Sequence, residues 1–259
     1  MLQTESKNHA PVQAPLEKNI CLVASGKGGV GKTWFSITLC QALAQSGKKV
    51  LLFDGDLGLA NVDIQLGLVP KRDLSTFIEG KCTFEEAIST YADGGFDVLP
   101  GKSGSGNLSS LSPQTLSLVK EEIRTHSQKY DQIIVDLGAG VGGTVKGLSQ
   151  VASRCLLVVT DEPTSLTDGY AFIKVILYLY PWMTIEIIVN NSENPKMGQK
   201  TYDTMVRACE NFLKFKPGLA GIIRRDLKIP ESIRHQKPLL TRYPNSDAAE
   251  DVREISKKI

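Results

Sequence analysis

No apolar run in this sequence is long enough to cross a bilayer, which takes ~20 consecutive apolar residues in a helix. The longest candidate, AFIKVILYLYPWM from Ala171 to Met183, is broken by Lys174 and Pro181. A soluble, or at most peripheral, protein is expected. An excess of charge of one sign is missing too. The 30 basic residues stand against 28 acidic ones, a net charge of +2. That balance does not demand nucleic acid or an anionic membrane as partner. Paired cysteines are also lacking. Cys21, Cys40, Cys82, Cys155 and Cys209 are scattered, with no CxxC among them. A zinc site or redox motif is therefore not expected. Scattered thiols in odd number, with no signal peptide, point to the reducing cytosol. Cys21 and Cys155 lie in apolar runs and read as small core residues. No internal repeat is seen.

What is present is ordinary for a globular protein: 259 residues, 41% hydrophobic and 22% charged. The length suits one large α/β domain or two small ones. Residues 1–18 are polar, hold two prolines and show no apolar period. They read as a flexible N-terminal arm, leaving 19–259 as the folded domain. From there short apolar runs alternate with amphipathic stretches. The runs are ICLVAS, KVLLFD, FDVLP, QIIVDL, RCLLVVT, TIEIIVN and GLAGIIR. Several are apolar throughout, as parallel strands covered on both faces should be. Helices are expected over 33–45, 114–128, 164–180, 199–213 and 247–259. Ser112 should cap the second, with Pro113 at its first position. The predicted fold is α/β: a single doubly wound, mostly parallel sheet of about seven or eight strands flanked by helices. Its ligand should bind at the carboxyl ends of the strands.

The glycine-rich stretch after the first run carries the chemistry. Gly26, Lys27, Gly28, Gly29, Val30, Gly31, Lys32 and Thr33 satisfy G-x-x-x-x-G-K-[ST] in full, between a strand and a helix. Glycines let the backbone turn successive N–H groups toward an anion, and the helix start adds its positive end. Lys32 should reach the β- and γ-phosphates, and the Thr33 hydroxyl should ligate Mg²⁺. Trp34 follows directly and is counted with the nucleotide contacts. A magnesium–nucleotide site also needs carboxylates. Asp54 and Asp136 each finish an apolar strand, and Asp56 stands two residues past Asp54. A strand-ending Asp can also be a plain cap or turn former. Beside a phosphate loop, Asp136 reads as a magnesium partner through water. A second GKS, in GKSGSGNLSS (101–110), lacks the glycine five residues earlier, where Phe96 stands. It reads as a surface loop.

KGGVGKT resembles the deviant phosphate-loop pattern of the MinD/ParA-type ATPases. DGDLGLANVDIQLGL is similar to their second motif, above all in the MinD-like flagellar-number regulators of the FlhG (FleN/YlxH) subgroup. VVTDEPTSLTDGYAFIK and HQKPLLTRYPNSDAA are similar to that subgroup as well. The resemblance spans about residues 20–259. It implies an ATPase that binds ATP/ADP with Mg²⁺ and forms a homodimer when ATP-bound. It gives the extra lysine, Lys27, a role: crossing the dimer seam to the partner's phosphates. Asp56 would orient or activate the attacking water, and Asp54 would support Mg²⁺ from behind. Asn61 and Asp63 would lie in the switch segment. Asn190 would contact adenine, though an Asn at a strand end is also a common turn residue. Arg224 and Asp226 stand beside the expected base site, where Arg224 and Arg225 can stack on adenine.

Some features depart from the subgroup. Leu137 replaces a usual Thr or Ser, which would weaken coupling between Mg²⁺ and the switch. VQAPLEK lacks the acid and arginine of the subgroup's activator motif. The resemblance implies regulation of flagellar number or placement. The implied partners are a flagellar SRP-type GTPase, motor-switch proteins or a flagellar transcription activator. Val252, Ile255 and Ile259 form an apolar stripe, read first as core and only second as peripheral membrane contact. The basic cluster Arg224, Arg225, Lys228, Arg234, His235 and Lys237 reads as a partner-binding or solvated face, so DNA is not the favoured partner. The alternative function is a ParA-like positioning or partition ATPase.

Overall fold

A computed structural model describes residues 17–56, 58, 60–101 and 111–259. The N-terminal arm up to residue 16 and nearly all of the second glycine-rich loop (102–110) lie outside them. The strands are β1 (Ile20–Ala24), β2 (Val50–Gly55), β3 (Ser89–Tyr91), β4 (Phe96–Leu99), β5 (Gln132–Leu137), β6 (Arg154–Val159), β7 (Thr184–Ser192) and β8 (Gly218–Arg224). They form one sheet in the order β3-β4-β2-β5-β1-β6-β7-β8. Each pairing is parallel except β3 with β4. The sequence runs located seven of these strands. Short β3 was missed because STY offers no apolar run, and it joins as an antiparallel edge.

Helices cover both faces. On one side lie α1 (Lys32–Gln45), α2 (Val62–Leu66), α10 (Leu239–Arg242) and α11 (Asp247–Ser256), whose apolar residues share a core with Cys21, Val23, Leu52 and Ile134. On the other lie α3 (Leu74–Ile78), α4 (Phe84–Ala87), α5 (Pro113–Ser127), α6 (Gly143–Ser149), α7 (Pro163–Leu179) and α8 (Pro195–Leu213), packed with Ile20, Leu22, Leu51 and Ile133. Successive strand residues thus point to opposite cores. That is why several of the runs read as apolar throughout. Helix α9 (Lys228–Arg234) follows β8, and its Ile229 and Ile233 pack against the α1-side core.

The capping expectations locate the helices well. Ser112 Oγ accepts the Thr115 N–H and Pro113 opens α5. Helix α8 begins four residues earlier than expected, because Asn194 accepts the Met197 N–H and Pro195 takes the first position. Helix α1 differs in kind. It is buried nearly all round, from Trp34 to Leu43, because α11 lies against its outer face. In α11, Val252 and Ile255 are 0% and 1% exposed. Their burial contributes about 1.5–3 kcal/mol each. The apolar stripe of the last helix is therefore core. Among the described residues no helix is long and apolar enough to cross a membrane.

Candidate nucleotide site

The loop 26–31 leaves β1 at the middle of the sheet, where the strand order changes direction. Adjacent strands bring their last residues level. Val23 is in register with Asp136, and Asp54 with Asp136. The expected carboxylates thus meet beside the phosphate loop. A cleft of about 810 Å³ opens there, lined by the loop and by Asp56, Asn61, Gly138 and Ile233 among others. That volume is in the range of small-ligand sites, roughly 300–1,000 Å³.

Two glycines are fixed by geometry. Gly31 has φ 88°, and a Cβ there would meet Asn190 Nδ2 at 2.3 Å. A Cβ on Gly26 would fall 2.2 Å from the Asp168 carbonyl carbon in α7. The loop is therefore pressed between β7 and α7. Gly28 and Gly29 are exposed, while Val30 turns inward at 4% exposure.

The two lysines of the loop part company. Lys32 is buried and its Nζ donates to Asp136 Oδ1 at 2.9 Å. It also lies 3.5 Å from the Thr33 hydroxyl. Lys27 turns the other way. Its Nζ donates to Glu162 Oε2 at 2.6 Å and to Thr164 Oγ1 at 3.0 Å, at the start of α7. Ser36, one turn into α1, also donates to Asp136 Oδ1 at 2.8 Å. Sequence reading missed Ser36, and only the i, i+4 spacing from Lys32 would have flagged it. It missed Glu162 and Thr164 as partners of Lys27 because they lie on a distant element.

The oxygen donors suit a magnesium triphosphate. Asp136 Oδ2 is buried with no hydrogen-bond partner. The Lys32 ammonium lies within 3.5 Å of both the Thr33 hydroxyl and Asp136 Oδ1, and hard oxygen donors fit a hard cation. Asp54 is fully buried and accepts the N–H groups of Asp56, Asn61 and Val62, each at 3.2 Å. Burial pushes its carboxyl up from 3.8 to about 7. The Asp136 charge adds to this, while those N–H groups and Lys32 oppose it. Asp56 is partly exposed, and its carboxylate would lie 3.2 Å from a Cβ on Gly138. It therefore sits between the turn after β2 and the turn after β5.

A stability prediction follows from Asp54. The unfolded chain releases this proton near the ordinary value of 3.8 and the folded chain only near 7. Between those values the folded state binds more protons, so this group's contribution to stability falls as pH rises and levels off above about 7. The total loss is on the order of 4 kcal/mol. Urea denaturation of the ligand-free protein across that window, compared with Asp54→Asn, measures it. The wild type should lose stability relative to the variant as pH rises. A constant difference would contradict the raised value.

On the base side, the Arg224 guanidinium bonds Asp251, Asp247 and Glu250 of α11. Arg224 therefore docks the last helix. Asp226 accepts the Lys228 and Ala248 N–H groups, so its carboxylate ties the start of α9 to α11. Asn190 donates to the Val30 carbonyl at 2.8 Å, bracing the phosphate loop. Its Oδ1 is buried without a partner, an acceptor of the kind an exocyclic amino group needs. Trp34 is 4% exposed and lines the cleft wall.

This is the architecture of a phosphate-loop nucleoside triphosphatase. Residues 21–239 match the CobQ/CobB/MinD/ParA nucleotide binding domain. The chain belongs to that family and is an ATPase that uses ATP/ADP with Mg²⁺. It is 34% identical over 93% of its length to the antiactivator FleN of Pseudomonas aeruginosa, covering 85% of that protein. It is 30% identical over 90% of its length to the flagellum site-determining protein YlxH of Helicobacter pylori, covering 79% of it. Its structure is similar to the cell division ATPase MinD of Pyrococcus furiosus, with TM-score 0.78, 26% identity, and coverage of 94% of this chain and 98% of that one. A MinD complexed with Mg-ADP, from Pyrococcus horikoshii, is similar at the same TM-score of 0.78, with 26% identity and 93% and 95% coverage.

Proposed function

We propose that this chain is an ATP-dependent dimerising switch that regulates flagellar number or placement through partner proteins. The observation that carries the reading is the division of labour between the two lysines. Lys32 faces the carboxylates inside the cleft. Lys27 stands at its rim with its ammonium on Glu162, an exposed contact worth roughly 0–1 kcal/mol. A lysine so weakly held, beside a polyanion site, is available to a second copy's triphosphate. Lys32 would hold the β- and γ-phosphates, Thr33 and Asp136 the magnesium, and Asn190 the base. Bound magnesium supplies charge neutralisation of the phosphates. Asp56 would orient the attacking water, and slow hydrolysis would reset the switch.

The flagellar assignment is supported by the similarity to FleN and YlxH. The partner classes remain those the sequence implies: a flagellar SRP-type GTPase, motor-switch proteins or a transcription activator. Cytoplasmic placement is part of the same reading. DNA positioning is the less favoured alternative, because three of the six basic residues of the cluster are held in ion pairs. Arg224 is held by three carboxylates, Lys228 pairs with Glu231 and Lys237 with Asp93. Deletion of the gene should change flagellar number or position. Complementation by the wild type, and not by Lys32→Ala, ties that change to the nucleotide. A deletion strain with unaltered flagellation would remove the flagellar part and leave the ATPase standing.

A further inference from the structure

Two side chains of α1 bond Asp136, and the phosphate-loop motif calls for only one of them. Lys32 and Ser36 stand one helical turn apart and share a face of the helix. Lys32 Nζ and Ser36 Oγ both donate to Asp136 Oδ1, at 2.9 and 2.8 Å. All three side chains are buried, with Ser36 and Asp136 at 0% exposure. The other carboxylate oxygen, Oδ2, is buried without a hydrogen-bond partner among the described residues. A carboxylate with two donors on one oxygen and none on the other keeps the second oxygen for a ligand.

The Ser36 hydroxyl has one proton and two acceptors in reach. The Lys32 carbonyl, one turn back, lies at 3.1 Å. Asp136 Oδ1 is nearer and carries charge, which makes it the stronger acceptor. A proton turned to the carbonyl would leave two oxygens, one of them charged, facing each other at 2.8 Å. Thr38 shows the plain alternative on the same helix. Its buried hydroxyl donates back to the Trp34 carbonyl at 2.9 Å, a bond within the helix.

Nucleotide acts differently on the two donors. Lys32 has a long side chain, and its ammonium is the group that a phosphate loop sends to the β- and γ-phosphates. Ser36 has a single side-chain torsion, and its helix is buried nearly all round. Phosphate draws Lys32 off the carboxylate and leaves Ser36 where it is.

We infer that Ser36 is a positioning residue for magnesium. Its hydroxyl holds Asp136 Oδ1 once Lys32 has turned to the phosphates, so the carboxylate does not rotate and Oδ2 stays the oxygen offered to the ion. This rests on the placement of magnesium at Asp136 given above and adds the group that keeps that carboxylate in place.

Mn²⁺ takes the same oxygen donors as Mg²⁺, and its EPR signal reports the free ion. It is to be titrated into the full chain saturated with ADP. Ser36→Ala should weaken Mn²⁺ binding roughly 10- to 100-fold, the usual effect of losing a group that orients a metal carboxylate. The variant's ADP affinity in EDTA, read by calorimetry, should match the wild type, because alanine suits a helix and only one oxygen is lost. Thr38→Val, which deletes another buried hydroxyl of α1, should leave both constants unchanged. Equal Mn²⁺ affinity in Ser36→Ala and the wild type would overturn the inference. So would a matching loss of ADP affinity in EDTA, or an equal loss of Mn²⁺ affinity in Thr38→Val, since either marks a general loosening of α1. Asp136→Asn separates the inference from the placement it rests on. If that variant loses Mn²⁺ binding while Ser36→Ala keeps it, the Ser36 role falls and the placement stands. If Asp136→Asn binds Mn²⁺ as the wild type does, the placement fails and the inference with it.

Discussion

Lys27→Ala is expected to bind Mg·ATP with nearly wild-type affinity and to remain a monomer. The phosphate cradle does not need this side chain. Its ammonium points away from Asp136 and the Thr33 hydroxyl, toward Glu162 and Thr164 on α7. What it is placed to do lies outside its own cleft. With two-fold symmetry each dimer would contain two such contacts. A charge-assisted hydrogen bond contributes about 1.5–3 kcal/mol. Losing both should weaken the ATP-bound dimer by roughly 10²- to 10⁴-fold. Turnover should fall with it, since the charge would also be missing where it develops during hydrolysis. Glu162→Gln is the informative companion. It releases Lys27 without removing it, and the dimer should form at least as tightly as in the wild type. Sedimentation velocity with a non-hydrolysable ATP analogue reads both variants. A Lys27→Ala dimer of wild-type affinity would end the cross-seam role.

The division between what the chain revealed early and what it hid follows from the range of each interaction. The phosphate loop, the strand-ending Asp54 and Asp136, and the caps at Ser112 and Pro113 are local patterns, read from neighbours within five residues. The central strands β1, β2, β5 and β6 were the most legible because both faces of each are buried, which makes their runs almost wholly apolar. The edge strand β3 has no such signature. The partners of Arg224 were hidden for a different reason. Its three carboxylates lie 23–27 positions away on α11, and their arrival depends on how the last helix docks. The Lys27–Glu162 contact spans 135 positions and was invisible in the same way. The stripe Val252, Ile255 and Ile259 was ambiguous in sequence, since a buried helix and a lipid-facing one share that period. Burial of Val252 and Ile255 against α1 and β8 resolves it.

Asp56→Ala should uncouple binding from turnover. Three carboxylates approach the cleft, and their surroundings divide their tasks. Asp136 is buried and holds Lys32 and Ser36. Asp54 is buried and spends its oxygens on the N–H groups that begin α2. Asp56 is partly exposed, lines the cleft, and stands beside the turn after β5. It is the carboxylate whose position suits orienting a water for in-line attack. The bond between the Asp56 N–H and Asp54 uses the backbone, so alanine keeps it. The fold and the phosphate cradle should therefore survive, with ATP affinity changed by only a few-fold. Turnover should drop about 10²- to 10⁴-fold, the usual contribution of a positioned base. With hydrolysis stalled, ATP itself should hold the variant as a dimer, where the wild type returns to monomer as ATP is consumed. Phosphate release and sedimentation on the same sample give both readouts. Turnover within a few-fold of the wild type would move the water-orienting role elsewhere in the cleft. Loss of ATP binding would instead place Asp56 among the groups that hold the nucleotide.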